Sequence, residues 1–206
     1  MLKETEGGWH RVDSTVKYYD ENARRYYETT VALDMRAIYQ PFLKHLQNGA
    51  RVLDAGCGSG RDSLFFQRQG YKVTAFDASE EMVRLSSQLL GQEVLFMNFE
   101  DLNLQDQYDG IWACASLLHV DRKKLVSVMD QFSKSLIRGG VFYLSFKYGT
   151  QEYWQDGRYF NCMDEELFGK VLGQLPELRI ERLFISVDVR QNRENERWLN
   201  VYLIKV

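Results

Sequence analysis

Three glycines alternate with Cys57 and Ser59 in VLDAGCGSGRDS, residues 52–63, just after an apolar run. Gly56, Gly58 and Gly60 give the backbone conformations closed to other residues, and let it approach a ligand with no side chain in between. Any tight strand-to-helix turn favours glycine, so the loop alone is modest evidence for a bound molecule. Two features sharpen it. The spacing is GxGxG, whereas the dinucleotide fingerprint GxGxxG needs its last glycine where Arg61 stands, which disfavours a pyrophosphate. Asp77 ends the next apolar run about twenty residues after the first glycine, where a carboxylate accepts hydrogen bonds from both hydroxyls of a ribose. Together these residues ask for a ligand that contains a nucleoside.

Other side chains could act on a second molecule. His119 follows a later apolar run on the ligand side and can titrate near neutrality, so it is the candidate base if an acceptor must lose a proton. The alternative is a histidine that only supports its loop. Tyr18, Tyr19, Tyr26 and Tyr27 share helical spacing, which fits a lid closing over a ligand and equally a plain buried face. Tyr26 is the second catalytic candidate. In KYGTQEYWQDGRYF, residues 147–160, the side chains of Lys147, Tyr148, Trp154 and Arg158 could line a pocket for an acidic or aromatic molecule, with Arg190 joining them. A solvated loop with packed aromatics accounts for the same residues. His10 and His45 have no partner motif. Tyr143 and Lys147 share the YxxxK spacing of short-chain dehydrogenases, but inside an apolar strand, which makes the match a coincidence.

The elements that must position these groups alternate. Asp13 or Ser14 can cap a first helix bearing Val16, Tyr19, Ala23 and Tyr26, and Met35, Ile38, Phe42 and Leu46 repeat the period in a second. Then come a strand at 51–55, a helix at 61–69, a strand at 72–76 ending in Asp77, and a helix capped by Ser79. Strands at 93–97 and 108–114 follow, then a helix carrying Leu125, Val128, Phe132 and Leu136 that Arg138-Gly139-Gly140 closes, and a strand at 141–146. A polar, aromatic loop precedes a helix capped by Asp164, and two long β-prone runs, 179–189 and 197–206, form a terminal hairpin. This order predicts an α/β, doubly wound, mostly parallel seven-stranded sheet with one antiparallel strand from the C-terminal hairpin. Residues 1–206 read as one domain, an N-terminal helical lid over 1–47 and a ligand-binding core over 48–206.

Composition narrows the partners. The chain has 206 residues, 45% hydrophobic, enough for one sizeable core. A net charge of -3 offers no attraction to nucleic acid or anionic membranes, so neither is an expected partner. The three cysteines are widely spaced, without the pairs of a disulfide framework or zinc site, so no metal is expected. The start lacks the apolar segment of a signal peptide and no run is long enough to span a bilayer, so a cytoplasmic protein is expected.

The sequence resembles the class I S-adenosylmethionine-dependent methyltransferases across roughly residues 15–206. The resemblance rests on VLDAGCGSGRDS, VTAFDAS, VLFMNFEDL, YDGIWACASLLHV and RGGVFYLSF with the terminal hairpin. GCGSGRDS is similar to the small-molecule branch, including tellurite-resistance and thiopurine-type members. The resemblance implies a Rossmann-like methyltransferase fold and S-adenosylmethionine as cofactor. Asp54, Ala55, Gly56, Gly58 and Ser59 would hold the methionine part, and Asp77 the ribose. Ala78 and Met82 would cover the adenine, Asn98 and Phe99 would meet its edge and face, and Tyr18 and Ala115 would complete the donor site. The family often has Asp where Asn98 stands, yet Asn still accepts from the adenine amino group. Core packing is the alternative for Met82 and Phe99.

Methylation of a small-molecule acceptor, anionic or aromatic, by a monomer or homodimer is therefore the expected activity. A non-catalytic module that binds S-adenosylmethionine is the alternative, and an NAD(P)-dependent oxidoreductase stands behind it. ACASLLH carries neither the Pro-Pro-aromatic nor the Pro-Cys signature of nucleic-acid methylation.

Overall fold

The computed structural model describes the backbone of residues 9–206 and the side chains of residues 14–206. Expectations that rest on the first eight residues, on the His10 side chain or on a cap by Asp13 lie outside the described residues. The helices are α1 (Trp9–Thr30), α2 (Arg36–Leu43), α3 (Arg61–Arg68), α4 (Glu80–Leu90), α5 (Arg122–Ser135) and α6 (Glu165–Leu172). The strands are β1 (Arg51–Ala55), β2 (Lys72–Asp77), β3 (Leu95–Phe96), β4 (Tyr108–Ala113), β5 (Leu136–Lys147), β6 (Glu152–Gln155), β7 (Arg158–Asn161), β8 (Leu178–Val187) and β9 (Arg197–Lys205).

Seven strands form one sheet in the order β3-β2-β1-β4-β5-β9-β8. The first five strands pair in parallel, and β9 runs antiparallel to both β5 and β8, so it is the single reversed strand. The chain leaves β1 outward through β2 and β3 and returns to β4 on the other flank of β1. Strand order therefore reverses between β1 and β4, and a crevice opens beyond their carboxyl ends. Alternate strand residues fill two cores. Val52, Trp112, Tyr143 and Tyr202 pack with Phe42 of α2 and Phe66 of α3. Leu53, Ile111, Phe142 and Leu203 pack with Phe132 of α5 and Phe168 of α6.

Local chemistry starts the helices where the site needs them. The Ser79 hydroxyl accepts from the Met82 N–H and the Asp164 carboxylate from the Leu167 N–H, each satisfying a donor the first turn leaves open. Glu80 and Glu81 add negative charge where the α4 dipole is positive.

Several boundaries differ from the sequence expectation. Helix α1 already begins at Trp9, so Ser14 lies inside it. Helix α5 passes directly into β5, which places Arg138-Gly139-Gly140 within the strand, and a register shift between Tyr108 and Gly110 absorbs the irregularity. Strand β3 shrinks to two residues. The expected loop after β5 contains the antiparallel hairpin β6–β7, turning on Asp156 and Gly157 at φ of +52° and +78°.

The two N-terminal helices also part company. Helix α2 buries Ile38, Tyr39 and Phe42 in the core. Helix α1 crosses the ligand end of the sheet. There Asp20 accepts from the Ser79 hydroxyl at 2.6 Å and the Glu81 N–H at 3.2 Å. One turn earlier in α1 and beyond, the Ser14 hydroxyl donates to the Gly157 carbonyl at 2.7 Å and Thr15 Oγ1 accepts from the Tyr159 N–H at 3.1 Å. Helix α1 thus ties α4 to the β6–β7 hairpin.

Candidate functional site

The glycine loop turns at the end of β1 with Gly56, Gly58 and Gly60 all in the left-handed region, at φ of +74°, +53° and +77°. Gly56 also needs the space: a Cβ there would stand 2.7 Å from Ser116 Cβ and 3.2 Å from the Phe99 ring. Four of the loop's N–H groups are spent within the protein. Gly56 and Cys57 both donate to the Phe76 carbonyl, Gly58 to the Asp77 carboxylate at 2.8 Å, and Gly60 to the Cys57 carbonyl. None of these bonds uses the carbonyls of Gly56 and Gly58. A diphosphate seeks N–H donors at such a turn, and four of them are committed here, whereas a carbonyl oxygen left out of these bonds suits a cation.

Asp77 completes the arrangement. It accepts from the Gly58 N–H on one oxygen and from the Ser79 N–H at 2.9 Å on the other. Burial pushes its carboxyl upward and these backbone donors pull it back. Each oxygen keeps a further lone pair for a hydroxyl.

A cavity opens beside the loop, lined by Gly56, Gly58, Ser59, Asp77, Ala78 and Met82. Asn98, Phe99, Ala115, Tyr26 and His119 close it. The Asn98 amide nitrogen donates to Asp101, with which Asn98 forms a capping box, and an amide oxygen has a second lone pair for a further donor. Phe99 also packs edge-on against Phe76 and Phe132, so the site reading and the core reading describe one ring.

Three expected residues are off the wall of this cavity. Asp54 is 2% exposed and accepts from the Ser63 hydroxyl at 2.6 Å, so it braces the loop from beneath, with burial raising its carboxyl. Ala55 is buried and gives its carbonyl to the Ser116 hydroxyl. Tyr18 faces the β6–β7 hairpin, with the Arg158 guanidinium 4.1 Å above its ring.

A second cavity of about 340 Å3 lies on the other side of a wall that includes Tyr19, Tyr26, Arg61, Cys114, Ala115 and His119. Lys147, Arg158 and Arg190 line it, as does Phe160. Tyr148 and Trp154 do not: Tyr148 bonds Glu165, and Trp154 is 46% exposed. Tyr143 and Lys147 share β5, where the Tyr143 hydroxyl donates to Asn200 and Lys147 pairs with Glu196, so the dehydrogenase-like spacing has no helix beneath it.

The shared wall contains Ala115, expected at the donor site, and Arg61, which the sequence reading did not assign. Ala115 is left-handed at φ +51°, a conformation that costs a non-glycine residue about 1 kcal/mol, and the Ser145 hydroxyl fixes it by accepting its N–H. Arg61 is held by Asp62, which also takes the Tyr39 hydroxyl and the Trp112 indole N–H. Burial alone would raise the Asp62 carboxyl, but Arg61 and these bonds hold it below the usual range. The signal was present: Arg61-Asp62 directly follows the third glycine and opens the helix.

His119 is fully engaged. Its Nδ1 lies 2.6 Å from the Tyr159 carbonyl, which can only accept, so Nδ1 carries the proton and Nε2 accepts from the Tyr19 hydroxyl at 2.9 Å. Burial pushes the imidazole down to about 4, with Arg158 and Lys147 adding to the shift. Burial likewise raises the Tyr19 and Tyr26 phenols.

A family model described as a methyltransferase domain matches residues 52–140, which span the loop, Asp77, Asn98 and His119. Residues 52–140 thus resemble a methyltransferase domain. The chain is similar to the probable S-adenosyl-L-methionine-dependent methyltransferase TehB of Haemophilus influenzae, 26% identical over 151 residues, 64% of this chain and 50% of that protein. It thus spans about half the length of that curated relative. Among solved structures, the Burkholderia thailandensis 1,6-didemethyltoxoflavin-N1-methyltransferase with bound 1,6-didemethyltoxoflavin and S-adenosylhomocysteine superposes with a TM-score of 0.80 at 20% identity, covering 100% of this chain and 93% of that one. The [4+2]-cyclase SpnF superposes at 0.70 and 14% identity, over 92% and 94%. These likenesses are of fold, and chemistry on the methyltransferase fold is argued from the site.

Among the described residues, no three His, Cys, Asp or Glu side chains cluster to hold a metal ion, and no helix is long and apolar enough to cross a membrane.

Proposed function

We propose that this protein transfers a methyl group from S-adenosylmethionine to a small planar acceptor, anionic or aromatic. The observation that carries this reading is the glycine loop, with the Gly56, Cys57, Gly58 and Gly60 N–H groups taken up within the protein and the Gly56 and Gly58 carbonyls left out of those bonds, beside a strand-end carboxylate. That surface suits the ammonium and sulfonium of this donor, and Asp77 suits its ribose. A nicotinamide dinucleotide would find the Gly56, Cys57, Gly58 and Gly60 N–H groups already taken. The donor supplies an activated methyl carbon: its bond to sulfur breaks as the acceptor's lone pair bonds to it, and the electron pair stays on sulfur.

The chain's own residues align and enclose. Gly56 and Gly58 offer carbonyls to the ammonium, Asp77 takes the ribose hydroxyls, and Asn98 Oδ1 accepts from the adenine amino group between Met82, Ala78 and Phe99. Asp54 and Ala55 keep the loop in shape from below. Tyr26, Cys114 and Ala115 flank the path between the cavities and exclude water. His119 acts as a positioning residue, since its lone pair is committed to Tyr19. Helix α1 is the lid. A second cavity opening on the same wall favours catalysis over a purely binding module, which has no use for it.

The test incubates wild type and Gly58→Val with cell extract and S-adenosylmethionine carrying a labelled methyl group, followed by mass spectrometry. A labelled small molecule formed by wild type alone supports the reading; no labelled product contradicts it.

A further inference from the structure

The second cavity carries two cations on one aromatic ring. Lys147 Nζ lies 4.7 Å from the centre of the Phe160 ring and the Arg158 guanidinium 5.3 Å from it. Both side chains are largely withdrawn from water, at 17% exposure each. Burying a charge this far is unfavourable unless an opposite charge and hydrogen bonds compensate.

The compensation on hand is thin. Arg158 hydrogen-bonds the neutral Tyr19 phenol and pairs with Asp156 at 3.5 Å, and that carboxylate is 65% exposed, a pair of the kind that contributes little. Arg158 Nε is buried with no hydrogen-bond partner. Lys147 shares its partner, Glu196, with Arg193, so one carboxylate stands between two cations. The guanidinium is also held in place, stacked over the Tyr18 ring at 4.1 Å and carried on β7 just after the Asp156-Gly157 turn. A fixed, planar, under-neutralised guanidinium matches a carboxylate better than any neutral group.

Position decides which part of an acceptor goes there. Lys147, Arg158 and Phe160 line the second cavity alone, whereas the donor cavity meets it at Tyr26, Cys114 and Ala115. Resting on the methyl-transfer reading, we infer that Arg158 and Lys147 form an anion subsite over Phe160 that binds a carboxylate of a planar acceptor and leaves a different atom of that acceptor at the shared wall. The acid is a handle, and the methylated product keeps it.

The experiment uses protein saturated with S-adenosylhomocysteine and titrates it by calorimetry with nicotinate and quinoline-2-carboxylate, each against its carboxamide. At least one carboxylate is expected to bind tenfold or more tighter than its amide. Arg158→Gln should bring the two to parity, Arg158→Lys should restore part of the preference, and Arg84→Gln, a surface arginine, should leave it intact. Circular dichroism checks that each variant is folded. Equal affinity for acid and amide, no binding of any probe, or a preference that survives Arg158→Gln overturns the inference. The preceding S-adenosylhomocysteine titration is read separately: its failure counts against the donor assignment, while the acid-to-amide ratio in the same protein still decides the subsite.

Discussion

Tyr19 of helix α1 donates its hydroxyl to His119 Nε2 at 2.9 Å, and the same imidazole donates its single N–H, at Nδ1, to the Tyr159 carbonyl of the β6–β7 hairpin. One neutral ring thus joins helix α1, which lines both cavities, to the hairpin that lines the second.

The neutrality of His119 has a pH signature. Its folded value is about 4 against 6.5 for the free imidazole. Between those values the unfolded chain binds more protons, so stability contributed by the neutral ring is lost as pH falls. Buried Asp54 and Asp77, both raised, slope the other way, so the difference between wild type and His119→Asn is the quantity to follow. Urea unfolding should show the wild-type advantage shrinking by about 2 to 3 kcal/mol from pH 7 to about pH 4.5. An advantage that is flat with pH means the ring is not buried neutral.

Replacing loop glycines should hurt in a set order. Gly58→Ala is expected to fold with about 1 kcal/mol lost to its left-handed φ, since the new Cβ would meet only the Tyr26 ring at 3.4 Å. Gly56→Ala should lose more, because its Cβ would stand 2.7 Å from Ser116 Cβ. Thermal melts rank the two, and equal melting temperatures would speak against the described loop.

Asp62 is expected to be the costliest polar residue to remove. Asp62→Ala would leave Arg61 buried without its carboxylate and strand the Tyr39 hydroxyl and Trp112 indole. A loss of about 3 to 5 kcal/mol is expected from denaturant titration. A loss below about 1 kcal/mol would show that the network relaxes around the gap.

Asp77→Ala should weaken donor binding by about 1 to 3 kcal/mol, the cost of leaving polar partners unpaired. Comparing S-adenosylhomocysteine affinity in the two proteins checks this, and an unchanged affinity would displace Asp77 from the ribose.

The sheet was legible in the sequence because its strands are short apolar runs punctuated by Gly and capping residues, and Gly56 and Asp77 mark the ends of β1 and β2. What escaped depended on three-dimensional partners. Asp54 reads as a ligand residue until Ser63, nine positions on, is seen to occupy it. Tyr18 and Tyr26 belong to one aromatic-rich helix, and of these two rings the hairpin's Arg158 lies over that of Tyr18. The hairpin itself left a trace in Asp156-Gly157 between aromatic residues, a two-residue turn signal that surrounding polar residues obscured. The commitment of His119 to Tyr19 and Tyr159, separated by 100 and 40 residues, leaves no mark in the sequence.

The central claim, that the glycine loop and a strand-end acid grip a cationic nucleoside, is tested most directly by calorimetry of the wild-type protein with S-adenosylmethionine and with NAD. The account predicts saturable one-to-one binding of S-adenosylmethionine and no measurable heat with NAD. Binding of NAD at the same site, or no binding of S-adenosylmethionine by folded protein, would contradict it.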